Sequence, residues 1–247
     1  LCKDKKIRTE DWPTLLAQLG TIMKTFHSIP MISYGLLSEN SISGSDFSLI
    51  QSPSTWQKYV DRLIQNRKDL VRKLNSKKTI GNISGADIKN IFSVSYKFYK
   101  QNRGVLESVK KPKLIHYDVL LSNIIVARND YLNRCEIAAI IDNEWVSAGD
   151  PDIDLVQLEN AAYFSSERET FKKYWFYFTR AYLGKNSYSR DIHEKGNIYH
   201  LMRSLFYIIA VFNLSSLENI DVKKIKKNYE LVNKIIKGNK IGFSLFE

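Results

Sequence analysis

An α+β fold, mainly helical and carrying one small β-hairpin, is what the sequence predicts, on three observations. Apolar residues recur at three-to-four spacing over long stretches, as they do on the buried faces of helices. Two short apolar runs, Ile124-Ile-Val126 and Ile137-Ala-Ala-Ile-Ile141, flank a polar loop and can pair as strands. At 247 residues and 44% hydrophobic composition, the chain can bury a core in one large domain or two joined subdomains.

In chain order, Leu15, Leu19, Ile22, Met23 and Phe26 share one face of a helix that stops at Ile29-Pro30. Leu36 to Ser52 is serine-rich and reads as loop. Ser52-Pro53 then opens a second helix, with Trp56, Tyr59, Val60, Leu63, Arg67, Leu70 and Leu74 on one side. Asp87 to Tyr99 forms a third helix before the hairpin. After Asp150 only helices are expected, over 153–164, 168–183, 198–217 and 222–237. In the last of these, lysines surround the apolar residues Val222, Ile225, Tyr229, Val232 and Ile236, the pattern of a docked amphipathic helix with a basic outer face. The aromatics Phe164, Tyr174, Trp175, Phe176, Tyr177, Phe178, Tyr182 and Tyr207 read mostly as core, although ring faces also suit cationic amines.

Composition excludes several classes. Two cysteines, Cys2 and Cys135, give no disulfide framework, and no Cys/His cluster has zinc spacing, so a reducing, cytoplasmic setting is expected. The longest apolar stretch, Leu205 to Phe212, is far shorter than the roughly twenty residues of a membrane span. His193 and His200 stand alone and are assigned no chemistry.

The chemistry-bearing segments are Leu114-Ile-His-Tyr-Asp-Val-Leu-Leu-Ser-Asn-Ile-Ile-Val126 and Ile140-Ile-Asp-Asn-Glu-Trp-Val-Ser-Ala-Gly-Asp-Pro-Asp-Ile-Asp-Leu155. The first contains His-x-Asp-x-x-x-x-Asn: a loop aspartate, Asp118, able to accept the proton of an attacking hydroxyl, and five residues later an asparagine, Asn123, able to offer a carbonyl to a metal. The second sets Asp142 directly after an apolar strand, where a carboxylate can hold Mg²⁺ against nucleotide phosphates. A hairpin between the segments would bring both acids to one end. Phosphoryl transfer asks for little more than a base, oxygen ligands for hard cations and a positioned nucleotide.

These residues resemble the aminoglycoside phosphotransferase family and its choline-kinase-like relatives, small-molecule kinases with the protein-kinase-like fold. The stretch Thr14 to Pro30 looks like the helix ending in Leu-His-x-Ile-Pro that opens the C-terminal lobe in that family, and Gly149-Asp-Pro-Asp-Ile-Asp-Leu155 looks like its Gly-Asp-Pro-x-x-Asp-Leu. The resemblance implies a C-terminal lobe whose small hairpin carries the catalytic loop; the family's N-terminal β-lobe is expected to be absent, since no Gly-rich loop or Val-Ala-Ile-Lys-like strand precedes His116. In it Asp118 is the catalytic base, Asn123 and Asp142 bind Mg²⁺ and with it ATP or GTP, and His116 and Asp154 support the loop. Residues 1–11 then form a linker remnant and 12–247 the lobe, with helices and catalytic loop over 12–164 and a helical subdomain over 165–247. The charged run Lys3 to Arg8 is hinge remnant or solvated tail. The chain departs from the family at Tyr117, where Gly is usual, at Leu121-Ser122, and at Asn143, where an aromatic is usual. A protein kinase proper is disfavoured, because Leu120 stands where such enzymes carry lysine.

Charge bears on the substrate. The net charge of +11 would suggest nucleic acid or anionic membrane, yet from Cys135 to Glu167 there are eight acids and no Lys or Arg. If these line the groove, the substrate is a cationic small molecule with a hydroxyl, such as an aminoglycoside, with Glu144 and Asp150 as contacts. The competing reading has several of them capping helices or bracing the loop. Three functions follow: a kinase for a cationic hydroxyl compound, a choline, sugar or amino-alcohol kinase, and a non-catalytic binding module of the same fold.

Overall fold

The computed structural model describes residues 7–37, 49–50, 53–186, 188, 191–214 and 220–238. In chain order these form α1 (Trp12–Ser28), β1 (Gly35–Leu37), β2 (Leu49–Ile50), α2 (Trp56–Lys73), β3 (Thr79–Ile80), β4 (Ile83–Ser84), α3 (Gly85–Asn102), β5 (Lys113–Ile115), β6 (Ile124–Asn129), β7 (Arg134–Ile140), β8 (Ser147–Gly149), α4 (Asp152–Tyr163), α5 (Arg168–Leu183), α6 (Ile192–Asn213) and α7 (Val222–Ile236). They group into two compact units, one from the described residues of 1–54 and 110–190, the other from those of 55–109 and 191–244. A boundary at residue 164 therefore falls inside the first unit, because α5 packs along α1.

In the first unit α1 starts with Pro13 in its first turn, where a missing N–H is harmless, and stops before Pro30. Its buried stripe is Leu15, Leu16, Leu19, Met23 and His27; Ile22 and Phe26, expected on that stripe, are only half-buried. The stripe turns toward α5, whose Phe171, Trp175 and Phe178 are buried. Gly20 makes this crossing possible, since a Cβ there would stand 2.5 Å from the Phe178 carbonyl oxygen. The span expected to be loop from Leu36 to Ser52 contains β1 and β2, paired Leu36 to Ile50; residues 38–48 and 51–52 lie outside the described residues. An antiparallel sheet in the order β2-β1-β8-β5 results, and the β6–β7 hairpin stands apart from it. Pairing of Ile124 with Ile140 closes the base of that hairpin, with a register shift between Ile125 and Val126.

In the second unit α2 packs with α3 and α6, and α7 with α3 and α6. Thr55, rather than Ser52, caps α2 by accepting the Lys58 N–H at 3.2 Å. At α3 a reciprocal cap starts the helix before the expected Asp87: the Ser84 hydroxyl accepts the Asp87 N–H, and the Asp87 carboxylate accepts the Ser84 N–H. α6 begins earlier than the expected 198 because Ile192, Lys195 and Gly196 are already buried there, with Lys195 paired to Asp191 at 3.6 Å. It ends at Asn213, and 215–217 lie outside the described residues. α7 buries Ile225, Asn228, Leu231, Val232 and Ile235, so its inner face is rotated from the expected one and Val222 is exposed. Among the described residues no helix is long and apolar enough to cross a membrane.

Candidate active site

The site grows from the segment between β5 and β6, all within the first unit. β5 delivers His116, buried, and Tyr117 then takes a left-handed backbone conformation, φ 64°, that turns the chain back. Val119 is fully buried beneath the loop, and Asp118 beside it is partly exposed. A short 3-10 turn, Leu121–Asn123, feeds directly into β6.

Asp154, fully buried in the first turn of α4, holds this loop from below. Its carboxylate accepts the backbone N–H groups of His116 at 2.7 Å and of Tyr117 at 2.8 Å. His27 Nε2, from the last turn of α1, lies 3.1 Å from the same carboxylate, and its Nδ1 is 2.8 Å from the Tyr182 hydroxyl. The His116 ring in turn accepts the Asp118 N–H through Nδ1 at 3.3 Å. That leaves Nε2–H as the donor edge of a neutral His116 ring, which borders a cavity of about 260 Å³ shared with Met23, Phe26 and Ile140.

Asn123 is buried, and its side-chain amide spans the loop, donating to the Asp118 carbonyl at 3.0 Å and to the Asp118 carboxylate at 3.3 Å. Its side-chain oxygen receives the Ser122 hydroxyl at 3.2 Å. At the other strand of the hairpin, the Ile141 N–H donates to the Asn123 carbonyl at 2.9 Å. Asp142 follows at once, exposed and also left-handed, with φ 68°. Asp118, Asn123 and Asp142 thus gather at the open end of one hairpin.

The eight acids between Cys135 and Glu167 do not form one negative groove. Asp150, Asp152, Asp154 and Glu159 are buried, and Glu136 is held by Asn129 and Arg134. Asp150, expected as a substrate contact, accepts the Asp152 N–H at 3.2 Å at the head of α4, so bracing is what the fold makes of it. Glu144 is exposed, two residues beyond Asp142.

His27 is the histidine of the Leu-His-x-Ile-Pro-like stretch and Tyr182 one of the aromatics read mostly as core, but the sequence assigned neither a role at the site and did not foresee their contact. Also unforeseen is the anchor beneath the hairpin: Arg8 binds Asp11 through two nitrogens, at 3.1 and 3.2 Å, and Asp11 accepts the Cys135 N–H at 3.1 Å. The guanidinium, above all, holds the Asp11 carboxyl down at about 2 against the opposing effect of burial. Burial, with Asp11 beside it, pushes the Cys135 thiol up.

Among the described residues no cluster of three His, Cys, Asp or Glu side chains could hold a metal ion. Asn123 and Asp142 offer one carboxamide and one carboxylate oxygen donor, which fits Mg²⁺, a hard ion that keeps several waters and takes its other ligands from phosphate.

The fold is the protein-kinase-like one, shared with solved structures of small-molecule kinases. A choline/ethanolamine kinase family protein from Mesorhizobium loti superposes with a TM-score of 0.55 at 15% identity, over 98% of this chain and 73% of that one. Choline kinase LicA from Streptococcus pneumoniae gives 0.52 at 17% identity, over 96% and 69%. Aminoglycoside phosphotransferase APH(4)-Ia, solved with ADP and hygromycin B, gives 0.61 at 12% identity, over 93% and 66%. At such identities the shared property is the protein-kinase-like fold. The chain belongs to the DUF1679 family, whose profile, described as "Uncharacterized oxidoreductase dhs-27", matches residues 21–238. No curated protein sequence matches it.

Proposed function

We propose that the protein is a phosphotransferase that moves the γ-phosphoryl group of ATP or GTP to a hydroxyl of a small molecule. The observation that carries this reading is the Asn123 side chain bonded to Asp118 at one strand of a hairpin whose other strand delivers Asp142. Asp118 accepts the proton of the substrate hydroxyl as its oxygen bonds to the γ-phosphorus, and the bond from that phosphorus to the departing nucleoside diphosphate breaks. Asn123 keeps the Asp118 carboxylate turned to the groove. Asn123 and Asp142 would hold Mg²⁺, which supplies charge neutralisation on the phosphates. The oxidoreductase in the family description belongs to that profile, and the site in this chain supports phosphoryl transfer instead.

The substrate is proposed to be cationic, on the strength of exposed Glu144 at the hairpin end, beside the carboxylate that would hold the metal. Hygromycin B and choline, named for the structural neighbours, set the test panel. A second reading, a binding module without turnover, is favoured by Asn143 in the place of an aromatic and predicts nucleotide binding alone.

Full-length protein is incubated with radiolabelled ATP or GTP, Mg²⁺ and a panel of aminoglycosides, choline, ethanolamine and neutral sugars. Transfer to a cationic acceptor is expected, falling roughly 10²–10⁴-fold in Asp118→Asn. Transfer to no acceptor, or full transfer in Asp118→Asn, overturns the reading; transfer to a neutral sugar alone overturns only the cationic substrate.

A further inference from the structure

Tyr182, near the end of α5, reaches across to His27 near the end of α1, and the two rings meet edge to face with centroids 5.6 Å apart. The contact is polar as well, because the Tyr182 hydroxyl sits 2.8 Å from Nδ1. Beyond it, His27 Nε2 lies 3.1 Å from the Asp154 oxygen that also receives the His116 N–H.

Donor order along this chain follows from chemistry. A carboxylate that gathers two backbone N–H groups accepts, so His27 bonds to it only with a proton on Nε2. Of the two neutral tautomers, the one with that proton presents Nδ1 as an acceptor, which calls for a donor on its other side. Tyr182 supplies it. Burial above all, and then the charges of Asp152, Asp154 and Asp150, push its hydroxyl up, so the proton stays on oxygen.

We propose that Tyr182 is a positioning residue: its O–H selects the His27 tautomer whose Nε2–H completes the Asp154 anchor, and thereby fixes the loop that carries Asp118. The catalytic meaning of that loop rests on the phosphotransferase reading; the tautomer and the anchor do not. Selection of this kind matters because the alternative tautomer would turn a lone pair toward a buried carboxylate, a repulsive contact in a site with little solvent.

Tyr182→Phe removes one oxygen and keeps the ring that stacks on Phe178 at 5.9 Å. Full-length protein labelled with ¹⁵N-histidine has only four such residues in this chain, and a two-bond ¹H–¹⁵N spectrum reads which ring nitrogen carries each proton. The expected result is a His27 proton on Nε2 in the parent protein and a mixed population in Tyr182→Phe. Amide exchange at His116 and Tyr117 should rise about fivefold to tenfold, the worth of one net hydrogen bond. In a His27→Phe background, Tyr182→Phe should add nothing further, since both act through one ring. A His27 proton on Nδ1 in the parent overturns the proposal before any variant is made. Unchanged exchange, or losses that add in the double variant, overturn it too. If the tautomer and exchange effects appear while the parent transfers no phosphoryl group, the proposal stands and the kinase reading falls.

Discussion

The Ile141 N–H donates to the Asn123 carbonyl at 2.9 Å, and this single backbone bond ties the end of the catalytic-type loop to the residue before Asp142. Two segments separated in sequence thereby present their oxygen groups from one rigid hairpin base, which suits a metal that tolerates little play in its ligands.

Asp142→Ala is expected to abolish Mg²⁺-dependent nucleotide affinity, and Asn123→Ala to weaken it. Calorimetric titration of MgATP and MgGTP into full-length protein checks this; unchanged affinity in Asp142→Ala would remove Asp142 from the metal site.

Asp154→Ala strands the buried His116 N–H, the half-buried Tyr117 N–H and the His27 ring nitrogen at once. Unsatisfied donors cost about 1–3 kcal/mol each, so a loss of about 3 kcal/mol or more is expected, with the loop residues exchanging fastest. Chemical denaturation followed by a probe in the first unit, together with amide exchange, measures it.

Much of the candidate site's layout was legible in residue type and spacing: His116, Asp118, Asn123 and Asp142 are read from two short segments, and hydrogen bonds join the loop to the hairpin end as that spacing suggests. The helices were legible from periodicity, but their ends were not. Ser84 and Asp87 cap α3 by a local reciprocal bond that an apolar count overlooks, and α6 starts in polar residues that only tertiary packing buries. The pairing of His27, which the family motif contains, with Tyr182, read as a core aromatic, was not legible because it is a contact 155 residues apart in sequence. The acid-rich stretch misled for a related reason: Asp150 and Glu159 have the composition of a groove and the burial of a core.

Acid should loosen the first unit through Asp11. Its folded-state pKa, about 2, lies below the 3.8 of an unperturbed aspartate, so ionised Asp11 stabilises the fold above pH ~4 and that contribution fades as pH falls from about 4 towards 2. Asp11→Asn should flatten this part of the stability profile, as read by denaturant midpoints at a series of pH values. An unaltered profile would show that the Arg8 pairing does not persist in solution.

Gly20→Ala should separate α1 from α5. The added methyl would stand 2.5 Å from the Phe178 carbonyl oxygen and 3.0 Å from the Tyr182 nitrogen, both backbone atoms with no freedom to swing aside. Overpacking of this kind costs about 1–3 kcal/mol, visible as a melting point several degrees lower.

The grip of Asp154 falls on main-chain N–H groups at positions 116 and 117 and ignores the side chains there. An anchor of that kind lets sequence drift. A tyrosine can occupy position 117 even though it must adopt a backbone geometry that glycine enters more cheaply, because the carboxylate below pins the turn whichever side chain it bears. Proline, which has no N–H to give and a fixed negative φ, would break the tether at position 117. Within this family, position 117 should therefore admit some side chains besides glycine while position 154 stays acidic.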